Sequence, residues 1–370
     1  MASVKHIIIP VFLNNSGCPS GGRCVFCNQA ASGGKPCAPD SLESYLKKYI
    51  FDINKLNINN IEYTFEVAFY GGTFTALEFK SQSLYFSAAR RAVSENKDAI
   101  GNKFTGFRAA TRPDYINSDI LEFLKDNEVK TIEIGVESFD GGVLEAAGRG
   151  YRPQDAIESI KLIKNAGFKL GLHLMCGLIG QSRDIFIKDA EILLSLAPHY
   201  ARIHPLCVMN GSKLGDMYKE NKFTPRSDRE LIEETAYAMA LFELNGIKVI
   251  RAGILENDNF RKEVLAGPAY PNLREIAESY IHRPVYDFIR EKFGRGRKVL
   301  ISAGCEKTLN YLIGYKKTNI KKNNDLFLEF KNKMLYNSER IYYILISAEN
   351  NELSYALTRP DVLRQYIIKF

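Results

Sequence analysis

Strand-like and helical segments alternate through the first two thirds of this 370-residue chain, and this alternation constrains its fold more than any other feature. The strand-like runs are Ile7–Phe12, Glu66–Tyr70, Gly106–Ala110, Thr131–Val136, Lys169–Met175 and Tyr200–Leu206. The amphipathic stretches are Ser41–Ile50, Ser83–Ser94, Ser118–Asp126, Gln154–Ala166, Asp184–Leu196 and Asp228–Asn245. Such alternation predicts parallel βα units. Six units form an α/β fold, a partial (β/α)6 TIM-like barrel, with functional residues expected where the strands end.

The pattern changes after about residue 255, where turn signals such as Gly267-Pro268 appear. The segments that follow are a helical stretch Leu273–Phe293, strand-like runs Lys298–Ser302 and Arg340–Ser347, and a loop Lys316–Asn324 rich in lysine and asparagine. We therefore predict two domains. Residues 1–255 form the core domain, and residues 256–370 form a small, basic α+β appendage at the C-terminus.

Positive charge is concentrated in one part of the sequence. Residues 281–340 contain fourteen lysines and arginines against six acidic residues, an excess of +8, while the whole chain carries +7. Interleaved aromatic residues, including Tyr311, Tyr315 and Phe327, suit a surface that follows a phosphate backbone. A solvated, mildly basic face explains the same composition equally well.

The chain carries no apolar run of membrane-spanning length and no signal-peptide cleavage pattern. Its seven cysteines are odd in number, and three of them lie close together. This usage argues against a disulfide framework and predicts a reducing, cytoplasmic location without membrane attachment.

The three crowded cysteines, Cys18, Cys24 and Cys27, follow the first predicted strand. Three thiolates on one loop can hold three irons of a [4Fe–4S] cluster and leave the fourth iron open to another ligand. A structural zinc site would need a fourth soft ligand. The other four cysteines are isolated in sequence, although zinc binding and buried unliganded thiols remain alternatives for the triplet alone.

Further motifs at later strand ends extend the pattern. They are Tyr70-Gly71-Gly72-Thr73-Phe74, Thr111-Arg112-Pro113-Asp114-Tyr115, Glu133-Ile134-Gly135-Val136-Glu137-Ser138, Gly148-Arg149-Gly150-Tyr151, Ala166-Gly167-Phe168-Lys169 and His173-Leu174-Met175-Cys176-Gly177-Leu178. Together with the cysteines, residues 4–255 resemble radical S-adenosylmethionine (SAM) enzymes. More narrowly, they are similar to the radical SAM domain of the Elongator catalytic subunit and its shorter bacterial relatives.

This resemblance implies that SAM binds the open iron, and that reductive cleavage of SAM yields a 5′-deoxyadenosyl radical which abstracts a substrate hydrogen. It implies cofactor-binding roles for Phe26 against the adenine, for Gly71, Gly72 and Thr73 near the SAM amino group, and for Arg112. Glu137 would contact the ribose or the amine, and Arg149 would pair with the SAM carboxylate. The alternatives without a cofactor role are an ordinary turn for Gly71 and Gly72, core packing for Phe26, and a surface ion pair for Glu137 and Arg149.

The sequence departs from the family pattern at several positions. Five residues separate Cys18 from Cys24, where three are usual in the superfamily, although the Elongator branch has a longer gap still. Gly177-Leu178-Ile179-Gly180 replaces Gly-Leu-Pro-Gly, and Ala110 stands where an acid or serine is frequent. Nothing after residue 255 resembles the Elongator acetyltransferase domain, so unaided acetyl transfer is not expected.

His173 on the fifth predicted strand, with Arg202 and His204 on the sixth, are candidates to line the substrate chamber and act in catalysis. Histidines in such strands are also common as satisfied core residues. Cys176, Cys207 and Cys305 suit small buried hydrophobic positions better than chemical roles.

The leading hypothesis is a radical SAM enzyme that modifies a base in transfer RNA, held by the basic stretch 281–340. It would need an external one-electron reductant of the flavodoxin or ferredoxin type. One alternative is a radical SAM enzyme acting on a small metabolite, as in tetrapyrrole biosynthesis. Another is a non-enzymatic iron–sulfur or zinc scaffold protein.

Overall fold

A computed structural model describes residues 4–13, 17–18, 24–28, 37–55, 62–96, 103–254, 258–296, 298–332, 343–348 and 354–370. The chain divides into two compact units. The first comprises Met1–Arg202, Cys207–Pro225 and Leu255–Ala266, and the second comprises Ile203–Leu206, Arg226–Ile254 and Gly267–Phe370. Among the described residues, no helix combines the length and apolar character needed to cross a membrane. The predicted boundary at residue 255 stays a prediction.

The strands are β1 Val4–Phe12, β2 Glu62–Tyr70, β3 Phe104–Thr111, β4 Val129–Glu137, β5 Lys169–Cys176, β6 Tyr200–Pro205, β7 Val208–Met209, β8 Lys248–Ala252, β9 Val264–Ala266, β10 Lys298–Ala303, β11 Phe327–Asn332, β12 Tyr343–Ala348 and β13 Ser354–Thr358. The α-helices are α1 Pro39–Lys55, α2 Phe79–Glu95, α3 Ser118–Asp126, α4 Gly141–Ala146, α5 Pro153–Asn165, α6 Arg183–Ser195, α7 Lys213–Lys219, α8 Asp228–Leu244, α9 Asp258–Glu263, α10 Leu273–Ile281, α11 Pro284–Phe293, α12 Glu306–Ile313, α13 Thr318–Lys322 and α14 Arg359–Lys369.

The main sheet has seven strands in the order β1-β2-β3-β4-β5-β6-β8. Neighbouring strands from β1 to β5 pair in parallel, and β1 and β2 stay in register over nine residue pairs from Val4↔Glu62 to Phe12↔Tyr70. The predicted partial α/β barrel is therefore confirmed as a curled parallel half-barrel. The prediction of six strands missed β8, because Lys248 and Arg251 interrupt this short strand and weaken its apolar pattern.

The apolar runs become strands because parallel strands covered by helices are buried on both faces. An aromatic cluster on β2, β3 and α2 anchors the first unit. The Phe69 and Phe74 rings stack at 4.5 Å between centroids, and the Phe86 ring meets Phe69 edge-on at 5.5 Å. All three side chains are fully buried, and burial of each contributes about 1.5–3 kcal/mol. This core fixes the ends of β2 and β3, where predicted site residues lie.

The second unit contains a mixed four-stranded sheet in the order β11-β10-β12-β13. Strand β10 pairs in parallel with β11 and antiparallel with β12. The predicted helical stretch Leu273–Phe293 is observed as two helices, α10 and α11, which are divided before Pro284. Proline lacks the N–H that a continuous helix would need and fits the first turn of a new one. The predicted strand Arg340–Ser347 is observed as Tyr343–Ala348, and residues 340–342 lie outside the described residues.

Candidate active site

The first cysteine of the triplet, Cys18, lies beside the residues that follow β2. The Cys18 Sγ atom lies 3.5 Å from the Thr73 hydroxyl oxygen. Thr73 is buried and precedes a short 3-10 helix, Phe74–Ala76. The backbone N–H of Cys27 donates to the Cys24 carbonyl at 3.2 Å, so these two cysteines share one tight turn. All three cysteines are partly exposed.

Two buried guanidinium groups contact the Cys24 sulfur. Arg149 Nη1 lies 3.2 Å from Cys24 Sγ, and Arg112 Nη1 lies 3.7 Å from it. Each arginine is only 5% exposed, so both charges are shielded from water. The structure thus brings three of the predicted site residues together around one sulfur.

Both arginines are held by further partners. Arg112 forms a bidentate pair with Asp114 at 2.9 Å for both contacts, and its Nη2 donates to the Arg149 carbonyl. Arg149 donates to the Tyr151 hydroxyl at 2.9 Å and to the Gly135 carbonyl. Burial alone would lower the pKa of Arg149, but nearby Tyr151, Cys24 and Glu137 raise it. The guanidinium of Arg149 therefore stays charged and fixed in place.

Glu137, the last residue of β4, has an unusual backbone and an unsatisfied carboxylate. Its φ of +68° is in the left-handed region that residues other than glycine rarely adopt. Among the described residues, its buried Oε2 atom has no hydrogen-bond partner. Gly135 makes room for the carboxylate, since a Cβ there would lie 2.6 Å from Glu137 Oε1. A strained residue that carries a buried unpaired oxygen is typical of a ligand-binding position.

These residues fit the chemistry of an iron–sulfur cluster with SAM. The cysteines supply the sulfur ligands that iron–sulfur clusters use. The unpaired Glu137 oxygen can accept a hydrogen bond from an amine or a hydroxyl. Within the described ranges, no three His, Cys, Asp or Glu side chains already converge on a metal position. Residues 19–23, which connect the first two cysteines, lie outside those ranges. Binding by all three cysteines stays a prediction.

A second polar cluster surrounds the fully buried carboxylate of Glu133 on β4. Arg108 Nη1 and Arg202 Nε each lie 2.5 Å from a Glu133 oxygen. His173 Nε2 lies 2.7 Å from Glu133 Oε2, and the Tyr70 hydroxyl donates to Oε1 at 2.8 Å. We call these five residues the Glu133 cluster. Two of its members, His173 and Arg202, are predicted catalytic residues.

The charges of the Glu133 cluster determine its protonation. Burial alone would raise the pKa of Glu133, but the hydrogen bond from His173 and the charge of Arg202 hold this pKa well below its usual range. Burial and the charge of Glu133 raise the pKa of Tyr70. Glu133 is therefore ionised and accepts hydrogen bonds, while Tyr70 keeps its proton and donates.

The Glu133 cluster extends to the edge of the sheet through Arg108. Arg108 Nη2 lies 2.5 Å from Glu66 Oε1, and His6 Nε2 lies 3.2 Å from the same oxygen. The buried Arg108 guanidinium also lies over the Tyr200 ring, 4.8 Å from its centroid. Six successive strands, β1 to β6, thus each contribute a charged or ionisable side chain to one network.

The remaining predicted residues have simpler environments. Gly71 lies at the end of β2 with φ +79°, and Gly72 follows it. Phe26 is half-buried between Cys24 and Cys27. His204 belongs to the second compact unit, so its catalytic role stays a prediction. Cys176 and Cys207 are buried, which agrees with their interpretation as small core residues.

The sequence interpretation missed Glu133, Arg108, Tyr70 and Glu66 as members of a polar network. A signal was present, because each lies in or at the end of an otherwise apolar predicted strand. A single charged residue in each of several successive buried strands indicates an interior polar layer, since an isolated buried charge is too costly to persist unpaired.

Comparison with known proteins identifies the class. The Radical SAM superfamily domain matches residues 15–193, and the Radical_SAM C-terminal domain matches residues 198–283. The first match contains the three cysteines, Glu133, Glu137 and both arginines that contact Cys24. The chain belongs to the radical SAM superfamily, and this membership indicates an enzyme that uses SAM and an iron–sulfur cluster.

Among its relatives is the tRNA uridine(34) acetyltransferase of Methanocaldococcus infernus, 24% identical over 308 residues, which cover 75% of this chain and 56% of the relative. Another is Elongator complex protein 3 of Mus musculus, 30% identical over 222 residues, or 56% of this chain and 40% of the relative. The archaeal Methanocaldococcus infernus Elp3 with an N-terminal deletion shares the fold, with a TM-score of 0.59 and 19% identity over 95% of this chain and 76% of that one. The chain thus spans about half the length of the first curated relatives it matches.

Proposed function

We propose that the protein is a radical SAM enzyme whose Cys18, Cys24 and Cys27 hold a [4Fe–4S] cluster, and that it modifies a base in transfer RNA. The contact of Arg149 and Arg112 with Cys24 is the observation that carries this proposal. It joins a predicted cluster ligand to two predicted cofactor-binding residues in a buried, positively charged pocket.

When bound, the cluster and SAM supply reductive cleavage of the SAM sulfonium bond, which releases a 5′-deoxyadenosyl radical able to abstract hydrogen. The protein contributes binding and orientation. Arg149 offers a rigid guanidinium to the SAM carboxylate, and Glu137 offers its unpaired oxygen to the amine or the ribose. Burial of both arginines keeps water away and strengthens these contacts.

We assign substrate positioning to the Glu133 cluster. Arg202 and His173 are each 13% exposed at the side chain, while Glu133 is fully buried beneath them. The ionised carboxylate holds Arg202 Nε at 2.5 Å and His173 Nε2 at 2.7 Å. A substrate in the barrel would therefore meet preorganised donors, which lose little freedom on binding.

Transfer RNA is proposed as the substrate because two supports agree. Relatives that match most of this chain are named for acetylation of tRNA uridine 34, and residues 281–340 carry an excess positive charge of +8. The reaction on the base, and the flavodoxin or ferredoxin that would supply electrons, belong to the same proposal.

Anaerobic reconstitution tests the enzyme. The reconstituted chain is given dithionite and SAM, and 5′-deoxyadenosine and methionine are measured by chromatography. We expect both products, and their absence refutes the radical SAM assignment. Gel shifts with an unmodified transfer RNA transcript across a salt series test the substrate, and no binding at physiological salt removes the RNA proposal.

Cys24→Ala is the first variant. We expect loss of the visible absorbance of the cluster and of SAM cleavage, with an unchanged far-ultraviolet circular dichroism spectrum, because Cys24 lies outside the sheet. Cys305→Ala is the matched control, since Cys305 is also a partly exposed cysteine but is isolated in sequence from the triplet, and it should retain absorbance and turnover. Equal loss in both variants would contradict the assignment of the triplet.

A further inference from the structure

A group of cations in the second unit shares a single carboxylate. Arg229 Nε on α8 lies 2.9 Å from Glu233 Oε1, and Arg283 Nη1 lies 3.9 Å from the same oxygen. The Arg283 contact is at the limit of an ion pair, so Glu233 neutralises mainly Arg229. The arginine side chains are 71% and 24% exposed and therefore accessible to a ligand.

Lys322, the last residue of α13, adds a third cation. It lies three residues after Asn319 and so shares a face of this helix with the residue that accepts the hydrogen bond from Arg283 Nε. The positive charge of Arg283 is the main cause that lowers the pKa of Lys322, followed by burial and by the charge of Arg229. Lys322 forms no ion pair with any other described residue. The three cations and Glu233 sum to +2, and the formal charge of the nearby Asp228 reduces the local excess to +1. An uncompensated positive group of this kind attracts anions.

Arg283 is held rigidly at the centre of this group. Its guanidinium carbon lies 3.2 Å from the centroid of the Tyr280 ring, and its Nε donates to Asn319 Oδ1 at 3.3 Å. Asn319 is fully buried and is itself fixed by donation to the Ser279 carbonyl at 2.8 Å. Stacking and one hydrogen bond occupy the ring face and Nε, and the terminal nitrogen Nη1 lies 3.9 Å from Glu233 Oε1. A stacked, planar guanidinium suits bidentate recognition of phosphate.

Tyrosines surround the same group. Tyr280 and Tyr315 pack against the apolar cluster of Ile232, Leu273 and Ile276. The Tyr270 hydroxyl donates to Asp228 Oδ2 at 2.7 Å, so this nearby acid is engaged by a tyrosine. Cations interleaved with aromatic rings are the combination that binds the backbone and bases of unpaired nucleic acid.

We propose that Arg229, Arg283 and Lys322 form a phosphate-binding site for the RNA backbone, with Tyr280 as the platform that fixes Arg283. The site rests on the proposed RNA substrate and deepens it. The proposal assigns phosphate binding to three cations rather than to the whole basic stretch 281–340. One of them, Arg229, lies outside that stretch.

The test measures binding of a fluorescent, unmodified transfer RNA transcript to the full, reconstituted chain across a salt series. Arg283→Gln, Arg229→Gln and Lys322→Gln should each weaken binding severalfold and reduce the slope of log K against log salt by about 1, because each removes a phosphate contact. Thermal melts should remain unchanged for Arg229→Gln and Lys322→Gln. Arg283→Gln also loses the contacts with Tyr280 and Asn319, so its RNA affinity is measured well below its own melting temperature.

Two further variants make the test specific. Arg295→Gln is the matched control, because Arg295 lies in the basic stretch but pairs with Asp325 at 3.5 Å and is 77% exposed. It should bind RNA like the unchanged chain. Glu233→Gln removes the carboxylate that both arginines approach, so it should tighten binding and steepen the salt slope, which a merely structural role would not produce.

The outcomes separate this site from the proposed function. If the unchanged chain binds no RNA, the RNA substrate fails and the site fails with it. If RNA binds equally well to the three cation variants, or if Arg295→Gln weakens binding as much as they do, the site alone is overturned. Inorganic phosphate provides the last comparison. Phosphate should displace RNA from the unchanged chain better than chloride does at equal ionic strength, and this advantage should be lost in the three cation variants. Equal displacement by the two anions would overturn the assignment of a phosphate site.

Discussion

Glu133→Gln should destabilise the protein strongly, because it removes the negative charge from a fully buried network. The Glu133 side chain is 0% exposed, Arg108 is 2% exposed and Arg202 is 13% exposed. Removal of one partner from a buried ion pair costs about 3–5 kcal/mol, since the remaining charge has neither water nor a partner. Glutamine keeps the volume and one acceptor oxygen, and Arg108 keeps Glu66. We therefore expect the lower end, about 3 kcal/mol.

Urea unfolding monitored by far-ultraviolet circular dichroism measures this loss. The chain has twenty tyrosines and no tryptophan, so tyrosine fluorescence provides a second probe. Glu43→Gln is the matched control, because Glu43 also has two cationic partners, Lys47 at 2.8 Å and Arg91 at 3.0 Å, but lies at the surface. The control should leave the unfolding midpoint nearly unchanged.

The pH dependence gives the prediction a sign. The pKa of Glu133 is lowered in the folded protein, so its stabilisation is present above the unfolded value near 4.5 and is lost as the pH falls toward the folded value. Glu133→Gln should therefore show a flatter loss of stability below pH 4.5 than the unchanged chain. A loss at neutral pH of less than about 1 kcal/mol, or a loss equal to that of Glu43→Gln, would refute the reasoning.

Two other buried groups predict pH effects on the unfolding midpoint. Burial raises the pKa of Asp189 to about 6. Its contribution to the free energy of unfolding is therefore present below about pH 4 and is lost as the pH rises through 6. Asp189→Asn should remove this loss of stability, which is on the order of 3 kcal/mol. Burial lowers the pKa of His282 to about 3, so the free energy of unfolding should fall as the pH drops from 6.5 toward 3. His282→Gln should remove most of that fall, which is roughly 4–5 kcal/mol at the acid limit. Urea titrations at several pH values check both, and unchanged slopes in the variants would contradict them.

Much of the half-barrel could be predicted from sequence because its strands are apolar on both faces. Runs such as those ending at Phe12 and Tyr70 stand out against amphipathic helices. Strand β8 could not be found in this way, because two of its five residues are basic. The split of the helix at Pro284 was visible in principle, since proline ends a continuous helix, but helical residues continue on both sides.

The candidate site was predictable in part for a different reason. The cysteines and the residues that contact Cys24 belong to motifs at strand ends, so local sequence identifies them. The Glu133 cluster depends on register between strands. Gly135 of β4 faces His173 of β5, and Glu133 faces Gly171, which no local pattern reveals. Arg108 and Glu66 are recognised as partners only once β2 and β3 are placed side by side.

The pairing of Glu133 with Gly171 restricts how this interior can change over evolution or in the laboratory. A Cβ at position 171 would lie 2.8 Å from Glu133 Cγ and 3.5 Å from its Cβ. Any side chain at position 171 must therefore displace the carboxylate that holds His173 and Arg202. Mutations at the two positions are consequently ordered: position 133 must shrink before position 171 can grow. Under the proposed role of His173 and Arg202 in positioning the substrate, a library that varies both while keeping Gly171 would sample new substrate preferences without that barrier.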